Sequence, residues 1–505
     1  MDSRAQIVPE SDPYSPAREH IESVIDWLDA EAQELTHDQV ETELSFRGRE
    51  TLRRLLQGYM DRRAAVEQAS PRPKGLPVGS EVRGRERDLE TTFGQVEVPR
   101  RAIEVPEQDT EFPLDEALNL PADRYSLPLR KVAAEEAAQG AMQGAVDAVH
   151  KYTGGHVPKR QVEQLAVRAA QDFDAFFGSN QRPANDTVPA GSLEVLSSDC
   201  KGIRMIPSAL REATRKTAEV ANAAGTEAST GDPMASRGER NHDKRMAAVT
   251  ANWEQERQPR TADEILRRLD RRAHKQPRKK RVAVLYNKLV RATVKKSLDD
   301  AIREMFEEAE QRDPKHQRDW VILIDGDEHQ AAYIEAQAEA RGVRVTIVRD
   351  LLHVLHYLWM AAMAIAHGVL ARAHAWVRRQ TTRLLTRTIV DVVAGIRQSA
   401  TLARLTAKER EAVEKCAEYL LAHPSSVDYA RFLAEGLPIA TGVIEGACRH
   451  LVQDRMGITG ARWGLESAEA VLRIRALISS GDWEDYWRFH TRQEHNRNYP
   501  SAMAA

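Results

Sequence analysis

Four strand-like segments between residues 192 and 350 constrain the fold of this chain more than any other feature. The clearest is the continuous apolar run from Val321 to Ile324, which is typical of a strand buried on both faces. The other three read SLEVLSSD, KRMAAVTANW and VRVTIVRD, and stretches with helical periodicity separate them. Strands mixed with helices in this order indicate an α/β unit.

The length of 505 residues exceeds what one hydrophobic core supports, so several structural units are expected. Apolar residues make up 42% of the chain and charged residues 30%, as in an ordinary globular protein. We predict an N-terminal helical region with a short β-hairpin at 1–110, a helix-turn-helix region at 111–185, an α/β core at 190–355, an all-helical insertion at 356–435 and the C-terminal helices of the core at 436–505.

The N-terminal third contains a candidate DNA-binding element. The segment YTGGHVP separates two amphipathic runs, which predicts a helix-turn-helix whose second helix starts near Pro158. Lys159, Arg160 and Gln161 would then occupy its first turns, where a recognition helix presents side chains to DNA. The alternative is a surface helical hairpin with a solvated, charged end. Upstream, TTFGQVEVPRRAIEV alternates around a glycine and predicts the hairpin.

The overall charge does not identify a partner, because 73 Lys and Arg residues nearly balance 76 Asp and Glu residues. Local clustering is more informative. The run RRLDRRAHKQPRKKR, residues 267–281, could neutralise DNA phosphates as a mobile arm, or it could be a solvated linker.

The cysteines and the most apolar stretch indicate the compartment. Cys200, Cys416 and Cys448 form no C-x-x-C pair, which disfavours a zinc ribbon or a disulfide framework and fits a reducing cytosol. The stretch 351–377 reads as a buried helix and not as a membrane span, because five His and Arg side chains interrupt it. We expect a cytoplasmic, nucleoid-associated protein with no membrane partner.

Three acidic residues stand in positions that suit metal-dependent chemistry on DNA. Asp199 closes an alternating strand and should project from the centre of the sheet, and Asp325 ends the apolar run beside Gly326. Glu445 lies in an apolar helical segment, where an anion is out of place without a positive partner. Asp325 follows Asp199 by 126 positions and Glu445 follows Asp325 by 120, so the second gap requires an insertion, which the strand-free stretch 354–434 supplies.

Such a cluster of carboxylates matches the requirements of phosphoryl transfer, in which two metal ions about 4 Å apart activate the attacking oxygen and stabilise the leaving one. Hard carboxylate oxygens favour Mg²⁺ or Mn²⁺. The alternative for each residue alone is an ordinary surface acid, because Asp is common where strands end.

Four sequence blocks carry a resemblance to a known family. They are SSDCKGIRM, VILIDGDEHQ, RDLLHVLHYLW and TGVIEGACRHLVQDRMGITGARWGL. The chain resembles insertion-sequence transposases of the ISKra family, within the DDE superfamily that includes Mutator-like and hAT elements. The resemblance covers most of the chain. It implies an RNase H-like catalytic domain with a helical insertion, in which Asp199, Asp325 and Glu445 hold the metal ions.

Two details of the resemblance concern single residues. Asp350 and His353 match the C/D-x-x-H motif of Mutator-like and hAT enzymes, which implies that His353 supports the active site; read from the sequence alone, the pair is equally a helix cap and a core histidine. Asp350 is also a rival to Asp325 as the second metal ligand. Cys200 stands where the family is expected to have glycine, which puts activity in more doubt than fold.

Lys201, two positions after Asp199, and several side chains that follow Glu445 are further DNA-binding candidates. The set is Lys201, Arg449, Arg455, Arg462 and Trp463, in which the cations could bind phosphates and the Trp could stack a splayed base. Buried structural roles are the alternative for the arginines and the tryptophan.

These observations predict a transposase that cleaves and rejoins DNA at the terminal inverted repeats of an insertion sequence. Double-stranded DNA, both the repeats and the target, is the expected partner, and a homodimer is expected because two ends must be joined together. The alternatives are an RNase H-like nuclease without strand transfer and a non-catalytic, domesticated transposase that binds DNA. The sequence contains neither G-x-x-x-x-G-K-[ST] nor G-x-G-x-x-G after a strand, so it does not imply a nucleotide cofactor.

Overall fold

The computed structural model describes residues 12–73, 76–155, 157–179, 187–223, 243–273 and 284–500. The chain divides into two compact units. One contains residues 1–182 together with 482–505, and the other contains residues 183–481. The C-terminal boundary differs from the expected 436–505 segment, because the chain from Asp482 onward groups with the N-terminal unit.

The first unit is helical apart from one hairpin. Its elements are helices α1 (Ser15–Asp29) and α2 (His37–Ala69), strands β1 (Glu81–Thr91) and β2 (Gly94–Glu104), helices α3 (Pro113–Ala117), α4 (Leu127–Gln139), α5 (Met142–Thr153), α6 (Lys159–Ala169) and α7 (Phe173–Gly178), and the C-terminal helix Trp483–Asn498.

The predicted β-hairpin is present and longer than the sequence pattern indicated. Strands β1 and β2 pair antiparallel along their whole length, from Glu81 opposite Glu104 to Thr91 opposite Gly94. Val96 and Val98, the alternating residues of the pattern, are buried and form a small core with Met60 of α2. The hairpin is therefore held by the long helix that precedes it.

Helices α5 and α6 form the helix pair that the YTGGHVP segment predicts. Helix α5 ends at Gly154, whose φ of 70° is the left-handed conformation that glycine adopts readily. Pro158 caps α6, which begins at Lys159. Both helices pack against α4, so the pair is part of a three-helix cluster.

The second unit is built on a mixed five-stranded sheet. Its strands are β3 (Leu193–Arg204), β4 (Lys244–Gln255), β5 (Leu285–Thr293), β6 (Trp320–Ile324) and β7 (Val345–Arg349). Their order is β5-β4-β3-β6-β7: β3, β4 and β5 are antiparallel neighbours, whereas β6 runs parallel to both β3 and β7. The chain is thus an α/β protein in this unit, as predicted, and β3 lies at the centre of the sheet.

Side chains along each strand point alternately to the two faces of the sheet. Leu196, Ile322 and Ile324 lie in one core with helices α10 (Leu298–Arg312) and α11 (Glu328–Arg341). Because successive side chains of a strand point to opposite faces, Val195 and Val321, which are equally buried, face the other side. Asp199 shares that second face with Val195.

The remaining helices of this unit follow or flank the strands. They are α8 (Glu212–Ala223), α9 (Ala262–Ala273), α12 (Leu351–Ile365), α13 (Leu370–Leu384), α14 (Ile389–Leu402), α15 (Ala407–Ala422), α16 (Tyr429–Ala434), α17 (Gly442–Ala447), a π-helical turn (Cys448–Gln453), α18 (Asp454–Met456) and α19 (Leu465–Ser480). The stretch 354–434 is helical and contains no strand, as its sequence pattern predicts.

The most apolar stretch, residues 351–377, forms parts of two helices, α12 and α13, and not one. Within the described ranges, no helix is both long enough and apolar enough to cross a membrane. In the basic run 267–281, residues up to Ala273 belong to α9, and the rest lies outside the described residues.

Candidate functional site

Parallel pairing brings Asp199 and Asp325 to the same edge of the sheet. Strands β3 and β6 pair from Glu194 opposite Trp320 to Ser197 opposite Leu323. Continued by two residues, the same register sets Asp199 opposite Asp325. Neighbouring strands lie about 4.8 Å apart, so two carboxylates start from adjacent backbone positions at this edge.

The two carboxylates repel each other. The pKa of Asp325 is raised above its ordinary value, first by burial and then by the negative charge of Asp199; nearby His353 and the backbone N–H of Asp327 act in the opposite direction. A raised carboxyl pKa means that the ionised form lacks sufficient positive compensation. A divalent cation between the two acids would supply it.

The number of carboxylates at this edge of the sheet suits Mg²⁺. Among the described residues, no group of three or more His, Cys, Asp and Glu side chains is close enough to hold a metal ion. Mg²⁺ commonly binds proteins through only one or two carboxylates and keeps several waters or substrate oxygens. Asp199 and Asp325 therefore fit a two-carboxylate magnesium site, in which further oxygens come from water or phosphate.

Two cysteines donate hydrogen bonds to the Asp199 carboxylate. The Cys448 thiol donates a hydrogen bond to Asp199 Oδ2 at 3.2 Å, and the backbone N–H of Cys200 donates to Oδ1 at 2.6 Å. Burial, followed by the charges of Asp199 and Asp325, raises the pKa of Cys200 to about 11. The Cys200 side chain therefore remains a neutral thiol beside the acids.

Glu445 lies in the short helix α17, which precedes the π-helical turn that contains Cys448. Both segments pack against β3. Cys448, three positions after Glu445, contacts Asp199. The Glu445 residue is exposed, so the argument that it is an anion buried in an apolar segment is wrong. Its segment packs beside Asp199 through Cys448, but among the described residues Glu445 does not form a three-acid group with Asp199 and Asp325.

Asp350 stabilises the start of a helix. It caps helix α12, where its carboxylate accepts hydrogen bonds from the backbone N–H groups of Leu352 (2.6 Å) and Thr441 (3.1 Å) and from the Thr441 hydroxyl. The residue is 5% exposed. Three N–H and O–H donors bind this buried carboxylate, whereas the half-buried Asp199 accepts only from the backbone of its neighbour and from a weak thiol donor. This arrangement favours Asp325 over Asp350 as the second metal ligand.

His353 lies close to Asp325, with its ring beside Gly326. Burial lowers its pKa, although the charges of Asp325 and Asp350 oppose that effect. Its ring also contacts the rings of Tyr357 and Tyr419, with centroids 5.5 Å and 6.2 Å away. A neutral imidazole in this position can donate or accept one hydrogen bond next to the acids.

The DNA-binding candidates of the second unit separate into two groups. Lys201, Arg449 and Arg462 are exposed, as a phosphate contact requires. Arg455 and Trp463 are 2% and 6% exposed, and the guanidinium carbon of Arg455 lies 4.6 Å from the Trp463 ring centroid. Neither presents a free face, so the expectation that they contact DNA is corrected: they belong to the core behind the Glu445 segment.

In the first unit, the three candidates lie at the start of α6. Lys159 and Arg160 are exposed, and Gln161 is half-buried. No acidic side chain of the described residues pairs with either cation. Two cations at a helix N-terminus oppose the helix dipole, which agrees with a role in binding an external anion.

Several residues around the acids escaped the sequence analysis. Cys448 carried no signal, because only the fold brings it to Asp199. Arg349 and Tyr419 also lie at this edge: Arg349 Nη1 donates to the Gly326 carbonyl at 2.8 Å, and an added Cβ on Gly326 would lie 2.6 Å from the Tyr419 hydroxyl. Arg349 directly precedes the predicted motif, which was the only available hint.

Replacing Asp325 by Asn should stabilise the protein. A folded-state pKa above the ordinary value favours folding below pH 3.8 and costs stability as the pH rises through the raised pKa. At pH 7, Asp325→Asn removes that cost, so the melting temperature should rise by a few degrees. The difference should vanish below about pH 4, where the wild-type acid is protonated. An unchanged or lower melting temperature at pH 7 would show that the repulsion is absent.

Replacing Asp350 should have the opposite effect. Asp350→Ala leaves two buried donors of Thr441 and the cap of α12 without an acceptor, which should cost about 1–3 kcal/mol in urea unfolding. Asp428→Ala, which removes a more exposed cap at α16, is the matched control and should cost about 1 kcal/mol or less. If Asp350→Ala retained full stability but abolished a metal-induced rise in melting temperature, Asp350 would replace Asp325 as the ligand.

Comparison with known proteins does not add to this geometry. Neither a scan against protein-family models nor a search of curated proteins finds a significant match to the chain. The function must therefore be inferred from the chemistry of the site itself.

Proposed function

We propose that this protein is a DDE transposase that cleaves and rejoins DNA at the ends of an insertion sequence. The observation that carries the proposal is the parallel register of β3 and β6, which places Asp199 and Asp325 at one edge of the central sheet. The raised pKa of Asp325 and the helical segment of Glu445 packed on β3 add to it.

An RNase H-like core is part of the same proposal. Its support is the mixed sheet with the acid-bearing strand β3 in the middle and helices packed on it. The all-helical insertion between β7 and the Glu445 segment also fits this proposal.

In this mechanism, Asp199 and Asp325 would hold Mg²⁺ or Mn²⁺, and Glu445 would be the third acid of the site. A divalent cation held there would supply activation of the attacking oxygen and stabilisation of the oxygen that leaves when the phosphodiester P–O bond breaks. His353, whose ring lies beside Gly326, would donate a hydrogen bond to a phosphate oxygen held near Asp325. Exposed Lys201, Arg449 and Arg462 would contact the phosphates on either side.

DNA-end recognition is assigned to the first unit. The exposed Lys159 and Arg160 at the start of α6, with Gln161 behind them, resemble the base-reading end of a recognition helix. A homodimer would allow two ends to be processed together, and the DNA substrate would place the enzyme at the nucleoid of the cytoplasm.

Two other functions share part of this description. An RNase H-like nuclease would use the same acids but would not join DNA strands. A domesticated, non-catalytic transposase would bind DNA without cutting it, and the thiol on Asp199 Oδ2 is the observation that favours this alternative, because it occupies an oxygen that a metal ion needs.

Cleavage of DNA that carries the flanks of the gene tests the proposal. Wild type with Mg²⁺ should cut at the element ends and join them to a second plasmid, whereas Asp199→Asn, Asp325→Asn and Glu445→Gln should bind the DNA without cutting it. Glu466→Gln, at an exposed glutamate paired with Lys295, is the control and should behave as wild type. Cleavage without joining would indicate the nuclease, and binding without cleavage by wild type would indicate the non-catalytic protein.

The salt dependence of DNA binding tests the role of α6. The slope of log K against log salt is set by the number of phosphates that the protein neutralises, at about 1 per phosphate. Replacing both Lys159 and Arg160 by Ala should therefore make the slope shallower by about 2. Arg168→Ala, at the other end of the same helix and paired with Asp123, should leave the slope unchanged. An unaltered slope in the double variant would remove α6 from the interface.

A further inference from the structure

Asp325 lies in a turn that contains a residue with an unusual backbone conformation. Ile324 is the last residue of β6, and the turn of residues 325–327 follows before helix α11 begins. Gly326 has a φ of 121°, a backbone conformation that residues with a side chain rarely adopt. The direction of the Asp325 side chain therefore depends on what holds this turn in place.

Arg349 holds the turn from the side. Its Nη1 donates to the Gly326 carbonyl at 2.8 Å, and the residue is 2% exposed. The Arg349 backbone is itself fixed by the helical insertion, because its N–H donates to the Ser426 carbonyl at 2.9 Å and its carbonyl accepts from the Tyr429 hydroxyl at 2.8 Å. A buried guanidinium with this many partners has little freedom to move.

Glu328 and His423 fix the other end of the guanidinium. His423 Nδ1 lies 3.1 Å from Arg349 Nη2, and His423 Nε2 lies 2.7 Å from Glu328 Oε1. A guanidinium only donates, so Nδ1 must accept and the ring proton must be on Nε2, directed at Glu328. Glu328 also pairs with Arg349 at 3.2 Å, which closes a three-residue network.

Tyr419 packs against the turn that contains Gly326. Its ring stacks on Tyr357 with centroids 4.3 Å apart, and the Arg349 guanidinium carbon lies 5.5 Å from the ring centroid. Its hydroxyl is buried against Gly326, close enough that an added Cβ would lie 2.6 Å away. The turn is thereby enclosed between Arg349 and a helix of the insertion.

We propose that Glu328, Arg349 and His423, called here the Arg349 network, are positioning residues that direct the Asp325 carboxylate toward a divalent cation. Through Ser426, Tyr429 and His423, the network makes the helical insertion a determinant of metal affinity. This inference rests on the proposed function, since it requires Asp325 to be a metal ligand. None of the three residues needs to touch the metal ion or the DNA.

A purely structural role is the competing explanation, and metal affinity measured without DNA separates the two. Residues that orient a metal ligand typically change metal affinity by about tenfold or more when they are replaced. A network that only anchors the insertion would change thermal stability and leave metal affinity alone.

The test uses the full-length protein and Mn²⁺ as the probe. Calorimetric titration should give a Kd for Mn²⁺ that is about tenfold weaker in Glu328→Gln and in His423→Ala than in wild type. Arg349→Lys, which retains a donor for the Gly326 carbonyl, should weaken binding less than Arg349→Ala. The matched control is His329→Ala: His329 follows Glu328 in the same helical turn and also pairs with a carboxylate, that of Asp299 at 3.2 Å, but lies outside the network.

The outcomes separate the two hypotheses. Weaker Mn²⁺ binding in the network variants, with wild-type affinity in His329→Ala, supports the inference. Unchanged Mn²⁺ affinity in Glu328→Gln and His423→Ala overturns it while leaving the proposed function intact, even where the melting temperature falls. If wild type binds Mn²⁺ no better than Asp325→Ala, the metal site itself is absent, and both the proposed function and the inference fail.

Discussion

The second unit depends on the parallel pairing of β3 with β6. This pairing joins the antiparallel half of the sheet, β3 to β5, to the parallel half, β6 and β7. The same register sets Asp199 opposite Asp325, so the contact that completes the sheet also brings two acidic residues to adjacent strand positions, where their charges oppose each other. A slip of one residue would move Asp199 to the opposite face and separate the pair.

Asp350 and Asp325 differ in how well their neighbours compensate the carboxylate charge. Asp350 is fully occupied by Leu352 and Thr441, and it thereby fixes the start of the segment that leads to Glu445. Asp325 has an opposite environment, in which burial and a like charge raise its pKa. A deeply buried carboxylate that accepts from three N–H and O–H donors serves the fold, whereas a carboxylate whose charge is poorly compensated is the better candidate for a cation site.

Much of this organisation could be predicted from the residues. The apolar run Val321–Ile324 predicted a buried strand, the YTGGHVP segment predicted the α5–α6 pair, and the absence of strand signals predicted the helical insertion. The failures have a common cause, because pattern reasoning cannot assign exposure to single side chains. Glu445 was expected to lie among apolar side chains and is exposed. Arg455 and Trp463 were DNA-binding candidates with buried roles as the alternative, and both are buried, with the Arg455 guanidinium over the Trp463 ring. Helical periodicity identifies an apolar face, but the neighbours that cover it come from distant parts of the chain.

The sequence by itself determined the local elements, the candidate acids and their order, because strand and helix periodicity and the residues at strand ends are local properties. Only the tertiary structure decided which acids come together. Strand register selected the Asp199 and Asp325 pair, and packing brought Cys448 to Asp199 and His423 to Arg349 across 249 and 74 positions of the chain, respectively. Contacts of that range depend on how whole elements pack, and no local pattern encodes them.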